Sequence, residues 1–361
     1  MPETRGTMNA SPGDPIAEGR WERRWHPLLG QWVIVAAHRQ DRPWSGERVG
    51  DDAAATPPVH DPTCHLCPGV RRVGGETNPD YTGPFAFDND RPSLGTDAPA
   101  DLPEPPAPYR RAPASGRTRV LCYTPRHDLS LARLGAAGVE RVIGAWRDET
   151  RALGAIAGIE SVLAFENRGE ISGVSNPHAH GQVYATGFRY DVVSRHLAAA
   201  AEHERATGRT LYADVLDAET AGGERIVAER EHAVAFVPWF ARYAYEVHVA
   251  PRRTVPHVTA LDEAEVVDLA AVLHETLVRY DNLWETDFPY LMTLQQAPVD
   301  GGAYPRFHCH VQLAPPLRKP GLRKYLGAHE IGGGNFLADT VPEDSAKALR
   351  ATSLLHWRDA S

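Results

Sequence analysis

Two stretches of the chain carry the same succession of apolar patterns, about 130 residues apart. The first begins with a strand pattern over 119–127 that ends near a proline, and apolar residues at helical spacing follow over 139–153. A strand pattern at 161–165 comes next, and alternating polar and small residues over 178–185 predict a further strand. This unit therefore has the order strand–helix–strand–strand.

The second stretch repeats that order. A strand pattern over 245–253 again ends near a proline, a helical pattern follows over 266–280, and a strand pattern lies at 290–294. His308-Cys309-His310 then stands where His178-Ala179-His180 stands in the first stretch. Agreement in spacing at both ends indicates a duplicated half.

The strands of each unit are close in sequence, which predicts an α+β fold with a largely antiparallel sheet and packed helices. With 361 residues, the chain suits two domains or one duplicated domain. Residues 1–20 are rich in Gly, Pro and Ser without periodicity and predict a disordered tail. We expect an N-terminal half over 21–195 and a C-terminal half over 196–361.

Composition narrows the function classes. The net charge of −9 argues against a nucleic-acid partner, which needs a basic surface. No apolar run is long enough to span a membrane, and the N-terminus lacks an apolar signal segment, so we expect a cytoplasmic protein. In that compartment, four cysteines favour metal binding or idle thiols over disulfides.

The most unusual polar pattern lies on the strand predicted over 178–185. Alternation puts His178, His180 and Gln182 on one face, which is a poor core face and a good phosphate-facing one. A polar strand edge or a pair of metal ligands fits the same spacing. The residues alone leave these alternatives open.

The run Asn-Pro-His-Ala-His-Gly-Gln over 176–182 resembles the active-site signature of the galactose-1-phosphate uridylyltransferase family, within the histidine-triad (HIT) superfamily. Similar landmarks extend from Trp25 to about Arg350. Ala179 replaces the proline that the family usually carries, and we expect it to point away from the reactive face. The resemblance implies duplicated HIT-like halves that form a half-barrel.

The resemblance also implies an activity: exchange of UMP between UDP-glucose and galactose 1-phosphate, through a uridylyl-histidine intermediate. The partners would then be a UDP-sugar and a hexose 1-phosphate. Three alternatives remain open: an adenylyltransferase similar to ADP-glucose phosphorylase, a transferase for another sugar 1-phosphate, and a zinc-stabilised nucleotide-sugar binder without catalysis.

His180 matches the attacking histidine of the family. A neutral imidazole attacks phosphorus only when its other nitrogen keeps its proton on an acceptor. Gln182 stands where nucleotide hydrolases of the superfamily carry a third histidine. An amide donates a hydrogen bond but transfers no proton, which favours a transferase over a hydrolase.

Cys64-His65-Leu66-Cys67 is the second chemical motif. A single Cys-x-x-Cys is compatible with redox chemistry, structural zinc or neither, and without a second such pair a tetrahedral site must recruit histidines. The resemblance supplies His127 and His178, which implies one structural Zn²⁺ per chain held by Cys64, Cys67, His127 and His178.

Other residues match family positions that contact substrate. The resemblance implies one set of residues that binds the phosphates and another that binds the nucleoside. It also implies a C-terminal segment that binds the hexose phosphate. In the family that segment reaches into the partner subunit, which implies a homodimer with sites at the interface. The residues are Arg39, Arg42, Asn89, Asp90, Asn167, Ser175, Lys324, Tyr325 and Glu330.

His308 and His310 match a second metal site of some family members. That site also needs a histidine and a carboxylate. Gln295 stands at the histidine position, and His196 lies near the carboxylate position. Because glutamine is a poor ligand for such metals, the sequence predicts a weak or empty second site.

Overall fold

The computed structural model of the chain describes residues 22–36, 57–174 and 176–360. The predicted tail over 1–20, the substrate candidates Arg39 and Arg42, and Ser175 lie outside the described residues. Within that part of the chain, strands and helices follow one another in a mixed α+β order.

Fourteen strands lie in the described part of the chain. They are β1 (Glu22–His26), β2 (Gln31–Val35), β3 (Phe85–Asp88), β4 (Gly116–Cys122), β5 (Ser161–Arg168), β6 (His180–Thr186), β7 (Ile226–Glu229), β8 (Ala233–Phe236), β9 (Val247–Pro251), β10 (Tyr290–Gln295), β11 (His310–Ala314), β12 (Leu317–Lys319), β13 (Leu322–Arg323) and β14 (Leu337–Ala338).

Six α-helices accompany these strands over the same described ranges. They are α1 (Gly135–Gly154), α2 (Asp191–Thr207), α3 (Leu211–Gly222), α4 (Glu263–Leu283), α5 (Ala328–Gly333) and α6 (Pro342–Arg350). An Asp262–Glu265 capping box starts α4, because Asp262 accepts from the Glu265 backbone N–H while Glu265 accepts from that of Asp262.

Nine strands form one open sheet in the order β3-β4-β6-β5-β10-β11-β9-β8-β7, and each neighbouring pair is antiparallel. The centre of this sheet is symmetric in its connections: β4-β6-β5 on one side corresponds to β9-β11-β10 on the other. Helix α1 connects β4 to β5, as α4 connects β9 to β10. The predicted duplication of strand–helix–strand–strand units in an antiparallel α+β fold is confirmed.

Helices α1 and α4 pack on each other and on one face of the sheet. Alternation turns the apolar residues of β5, β6, β10 and β11 toward them, which gives one continuous core. Its central side chains are Val142, Ile143, Trp146, Val162, Ala164, Val183, Leu269, Leu273, Leu277, Met292, Leu294, Val311 and Leu313.

The opposite face of the sheet carries polar residues near its centre. Cross-strand partners share a face, so the strand register defines one row that crosses every strand of the sheet. This row runs Phe87, Val120, Gln182, Phe165, Thr293, Gln312, His248, Phe236, Ile226. Both duplicated His-x-His segments therefore contribute to the same face.

The start of β6 differs from the prediction. The strand begins at His180, whereas the sequence pattern placed its start at 178. His178 is completely buried and its ring lies against the cysteine loop over 64–67, so the residue leaves the sheet to make that contact. Ala179 is buried in the core, away from the polar face, as expected.

A small sheet joins the two ends of the described chain. Strands β1 and β2 form a hairpin, and β14 adds to β2 in parallel. Arg24 of β1 contacts both Glu343 of α6 and the ring of Trp239, with its guanidinium 3.7 Å from the ring centroid. These contacts fix the first described strand against the C-terminal half.

No helix among the described residues combines the length and the apolar character that crossing a membrane requires.

Candidate active site and metal centre

The cysteine loop is shaped by a tight turn and by one buried amide. The backbone N–H of Cys67 donates to the Cys64 carbonyl at 3.0 Å, which closes the turn. Asn78 donates from Nδ2 to the carbonyls of His65 and Cys67 at 2.9 and 3.0 Å. Both thiols consequently face the interior.

Four ligand atoms converge at this loop. The sulfurs of Cys64 and Cys67 and one ring nitrogen each from His127 and His178 lie within 4.8 Å of one another, and all four residues are buried. The Cys67 sulfur lies 3.6 Å from His127 Nδ1 and 3.5 Å from His178 Nδ1. Zinc-like bond lengths and tetrahedral angles place sulfur and nitrogen roughly 3.6 Å apart. The cluster can hold a metal ion.

The orientation of His178 agrees with that use. Its Nε2 lies 2.7 Å from the Thr124 carbonyl. A carbonyl only accepts, so Nε2 carries the proton and Nδ1 presents its lone pair to the cysteines. Burial raises the pKa of Cys67 to about 11, so the metal-free residue is a thiol and metal binding must displace its proton.

His180 is fixed by the same strand start. Its Nδ1 lies 2.7 Å from the carbonyl of His178, which makes Nδ1 the protonated nitrogen and leaves a lone pair on Nε2. Burial lowers the pKa of His180, although the bond to the His178 carbonyl opposes that shift. The ring is therefore a neutral imidazole near pH 7, the form that attacks phosphorus.

Three predicted residues surround His180. Asn89, at the end of β3, donates from Nδ2 to Gln182 Oε1 at 3.4 Å. Phe165 of β5 pairs with Gln182, and extending that register by two pairs places Asn167 opposite His180 on the same face. One imidazole and three amides therefore lie side by side.

Gly181 allows this strand to pack closely on its other face. A Cβ at Gly181 would lie 2.2 Å from the Tyr123 hydroxyl and 2.8 Å from the Phe165 carbonyl. Glu166 is buried beneath the same strands and accepts from the Tyr290 hydroxyl at 3.2 Å. Burial raises the pKa of Glu166 to about 8, against the lowering effect of Arg168. The residues below this face are thus closely packed and buried.

The C-terminal candidates lie together in a different place, beside the small sheet. Lys324 donates from Nζ to Glu330 Oε1 at 2.8 Å and to the Leu337 carbonyl at 2.7 Å. Tyr325 is 48% exposed, next to Arg323. The structure pairs Lys324 with Glu330 rather than leaving both open toward His180.

Asp90, a candidate residue for the nucleoside, packs on Gly74 near the cysteine loop.

Several functional neighbours were missed from the sequence. Asn78 shapes the cysteine loop, Thr124 orients His178 through its carbonyl, and Asn176 contacts the Cys64 sulfur at 3.5 Å. Backbone carbonyls leave no sequence signal. Asn176 lies inside the recognised motif and could have been found there.

Family models match both halves of the chain. The galactose-1-phosphate uridyl transferase N-terminal domain matches residues 16–189, and the C-terminal domain of the same family matches residues 195–361. A curated galactose-1-phosphate uridylyltransferase of Haemophilus influenzae is 38% identical over 340 residues, 93% of this chain and 96% of the relative. The Rattus norvegicus enzyme is 36% identical, covering 92% of this chain and 88% of the relative.

Solved structures agree in fold. A uridylyltransferase structure superposes with a TM-score of 0.73 at 27% identity, covering 91% of this chain and 97% of that one. An ADP-glucose phosphorylase from Arabidopsis thaliana reaches a TM-score of 0.75 at 23% identity, covering 92% and 99%, which is evidence of fold alone.

The duplicated halves, the open antiparallel sheet and these superpositions place the chain in the HIT-like class. Within that class, the chain belongs to the galactose-1-phosphate uridylyltransferase family, a family of enzymes. The resemblance drawn from the motif over 176–182 is confirmed.

Replacing Cys67 with serine is expected to abolish metal binding, because the site loses one of its two thiolates. Metal content per chain, measured by inductively coupled plasma mass spectrometry, should fall from about one ion to near zero. Cys122→Ser is the matched control, since Cys122 is buried in the same apolar cluster but is not among the four grouped ligands. Equal metal content in both variants would contradict the ligand assignment.

Proposed function

We propose that this enzyme exchanges UMP between UDP-glucose and galactose 1-phosphate by double displacement, with His180 as the nucleophile. The observation that carries the proposal is the bond from His180 Nδ1 to the His178 carbonyl at 2.7 Å. This bond leaves Nε2 of His180 unprotonated. The chain belongs to a family that is named for uridylyl transfer.

In the first step, the Nε2 lone pair attacks the α-phosphorus of UDP-glucose. The P–N bond forms while the bond from that phosphorus to the bridging oxygen breaks, and the electron pair leaves on glucose 1-phosphate. In the second step, a phosphate oxygen of galactose 1-phosphate attacks the same phosphorus and the P–N bond breaks. His180 returns to its neutral form, so no proton is gained or lost over the cycle.

Gln182 and Asn167 are assigned to the transferring phosphoryl group. Their amide N–H groups stabilise its negative charge without transferring a proton. Sugar 1-phosphate already leaves as a stabilised anion, so no general acid is needed. An amide at Gln182 also gives an attacking water no proton acceptor, which supports transfer over hydrolysis.

The remaining substrate roles follow from the family match. Asn89 and Asp90 are assigned to the uridine, which is supported by the Asn89–Gln182 contact. Arg39, Arg42 and Ser175 are assigned to the phosphates and lie outside the described residues. We assign Zn²⁺ to the metal cluster, because two thiolates and two imidazoles are a common donor set for structural zinc. Four protein ligands would leave no position for water, so a bound metal would fix the start of β6 rather than activate water.

We also propose a homodimer whose sites use both subunits, in the cytoplasm. The segment with Lys324 and Glu330 exposes Tyr325, Leu326 and Ile331, the last to 74%. Exposed apolar side chains next to a buried ion pair are typical of an interface. A second subunit that covers them would bring Lys324 and Tyr325 to the hexose phosphate of its partner.

Shared sites predict complementation between inactive variants. His180→Ala and Lys324→Ala subunits, dissociated and reassembled together, should recover about a quarter of wild-type activity, since half of the dimers are mixed and each has one intact site. A mixture of His180→Ala with Gln182→Ala is the control, because both residues lie on one strand and cannot complement. No recovery in the first mixture would place the whole site within one subunit.

The covalent route predicts half-reaction exchange. Enzyme given UDP-glucose and labelled glucose 1-phosphate should move label into UDP-glucose without galactose 1-phosphate, because His180 holds the uridylyl group between the two steps. His180→Ala should lose this exchange by a factor on the order of 10⁴ or more. His310→Ala, the variant of the corresponding histidine in the second half, should retain it once its folding is verified.

Two results would overturn the proposal: exchange at wild-type rates in His180→Ala, or intersecting rather than parallel double-reciprocal lines with no exchange at all. Preference for ADP-glucose and inorganic phosphate over UDP-glucose and galactose 1-phosphate would favour the adenylyltransferase alternative instead.

A further inference from the structure

Strand β5 ends in a buried arginine, directly after Asn167. By alternation, Asn167 lies on the polar face of the sheet, while Arg168 points to the core face. The cross-strand partner of Arg168 is Tyr290 of β10, which is buried in the main core. Arg168 is therefore turned away from the reactive face, and only 10% of its side chain is exposed. A guanidinium buried in this way needs a charged partner.

That partner is Asp281, in the last turn of helix α4. Arg168 donates from Nη1 to Asp281 Oδ1 at 2.7 Å and from Nη2 to Oδ2 at 2.9 Å, so two parallel bonds join the planar groups. Asp281 is completely buried. Burial favours its neutral form, but Arg168 and His356 lower the pKa of the Asp281 carboxyl below its usual value. The pair is therefore ionised.

The Asp281 carboxylate is also held from two other segments. The backbone N–H of Phe288, in the loop after α4, donates to Oδ1 at 3.0 Å. His356, in the C-terminal segment, donates from Nε2 to Oδ2 at 3.0 Å. Each carboxylate oxygen thus accepts two bonds. The group that receives Arg168 cannot rotate without breaking contacts to separate parts of the chain.

The end of β5 is paired on one side only. Pairs between β5 and β6 end at Phe165 and Gln182, two residues before Asn167. Pairing with β10 continues through Asn167 to Arg168. The chain then leaves the strand at Gly169, whose φ of 84° suits glycine and few other residues. The ion pair of Arg168 is therefore the side-chain contact best placed to restrain the strand beside Asn167.

Stability alone does not account for a buried ion pair at this position. Removing two charges from water offsets their mutual attraction, and apolar residues of similar volume often stabilise a fold as well. A bidentate arginine–carboxylate pair supplies direction instead, because both bonds form only when the two planes are aligned. Alignment at Arg168 orients the peptide unit that joins it to Asn167.

We propose that Arg168 is a positioning residue for uridylyl transfer. Its pair with Asp281 fixes the end of β5 and thereby holds the amide of Asn167 opposite His180. The inference rests on the proposed function, in which Asn167 stabilises the charge of the transferring phosphoryl group. Arg168 lies on the other face of the strand, so its effect on the reaction passes through Asn167 rather than through contact with the substrate.

The test compares Arg168→Lys with Arg253→Lys in the exchange of label between glucose 1-phosphate and UDP-glucose. Lysine keeps the positive charge but cannot form the bidentate pair. Arg253 makes the same kind of pair with buried Glu265, in the first turn of α4 and about 24 Å along the helix from Asp281, so it is the matched control.

We expect the maximal exchange rate of Arg168→Lys to fall by a factor on the order of 10 or more, because a misplaced Asn167 no longer stabilises the transition state. The KM for UDP-glucose should change much less, since the loss falls on the reacting group and not on binding as a whole. Arg253→Lys should exchange label at the wild-type rate.

A second measurement separates positioning from a general weakening of the fold. In a chain that carries Asn167→Ala, the further change Arg168→Lys should leave the exchange rate unaltered, since the amide that Arg168 positions is gone. Thermal unfolding verifies that each variant is folded. If Arg168→Lys does not fold, Asp281→Asn weakens the same pair at nearly constant shape and should show the same dependence on Asn167.

Four results would overturn the inference. They are a wild-type exchange rate in Arg168→Lys, a wild-type rate in Asn167→Ala, an equal loss of rate in Arg253→Lys, and a loss that persists in full when Arg168→Lys is added to Asn167→Ala. Failure of the proposed covalent route would instead appear in the wild-type enzyme, as absence of exchange.

Discussion

The reactive site depends on one short hydrogen bond, from His180 Nδ1 to the carbonyl of His178 at 2.7 Å. That bond selects the tautomer in which Nε2 can attack phosphorus. The His178 residue that supplies this carbonyl is itself held on both sides of its ring, by Cys64 and Cys67 at Nδ1 and by the Thr124 carbonyl at Nε2. The candidate metal ligand His178 and the proposed nucleophile His180 are therefore linked through the backbone, and the carbonyl of the first orients the ring of the second.

Comparison of the two duplicated halves indicates what a nucleophilic histidine needs beyond that hydrogen bond. His310 and the His308 carbonyl repeat the geometry at 2.9 Å, on a strand with the same place in the sheet. In the second half, however, the histidine is almost completely buried, and the Tyr212 ring lies against it at a tilt, with ring centroids 4.6 Å apart. A tautomer alone does not make a nucleophile: the ring must also face a space that a nucleotide can enter. The two halves share the histidine geometry but differ in burial, because His180 is half-buried and His310 is almost completely buried.

Periodicity was sufficient to predict the main architecture. The apolar spacing over 139–153 and 266–280 identified α1 and α4, because each helix buries a broad stripe in the core. Helix α2 was not predicted, since it buries only Val193, His196 and Ala200 and its pattern is correspondingly thin. The two-residue strands β13 and β14 are too short to carry any period.

The residues of the candidate site also fall into those that the sequence predicted and those that it did not. The metal ligands and the residues around His180 were identified from a contiguous motif and its family match. The approach of His26 and His248 to His310 depends on tertiary contacts between distant segments. No local sequence pattern predicts such contacts. Sequence reasoning named candidate groups from local motifs and the family resemblance, and could not assign partners that only the fold brings together.

The measurement that tests this account most directly is the mass of the intact chain after incubation with UDP-glucose alone, quenched at alkaline pH to preserve a phosphorus–nitrogen bond. The account predicts a chain heavier by one uridylyl group, with the modification mapped by peptide sequencing to His180 and released when galactose 1-phosphate is added. An unmodified chain under conditions of full turnover, or a uridylyl group on another residue, would contradict it.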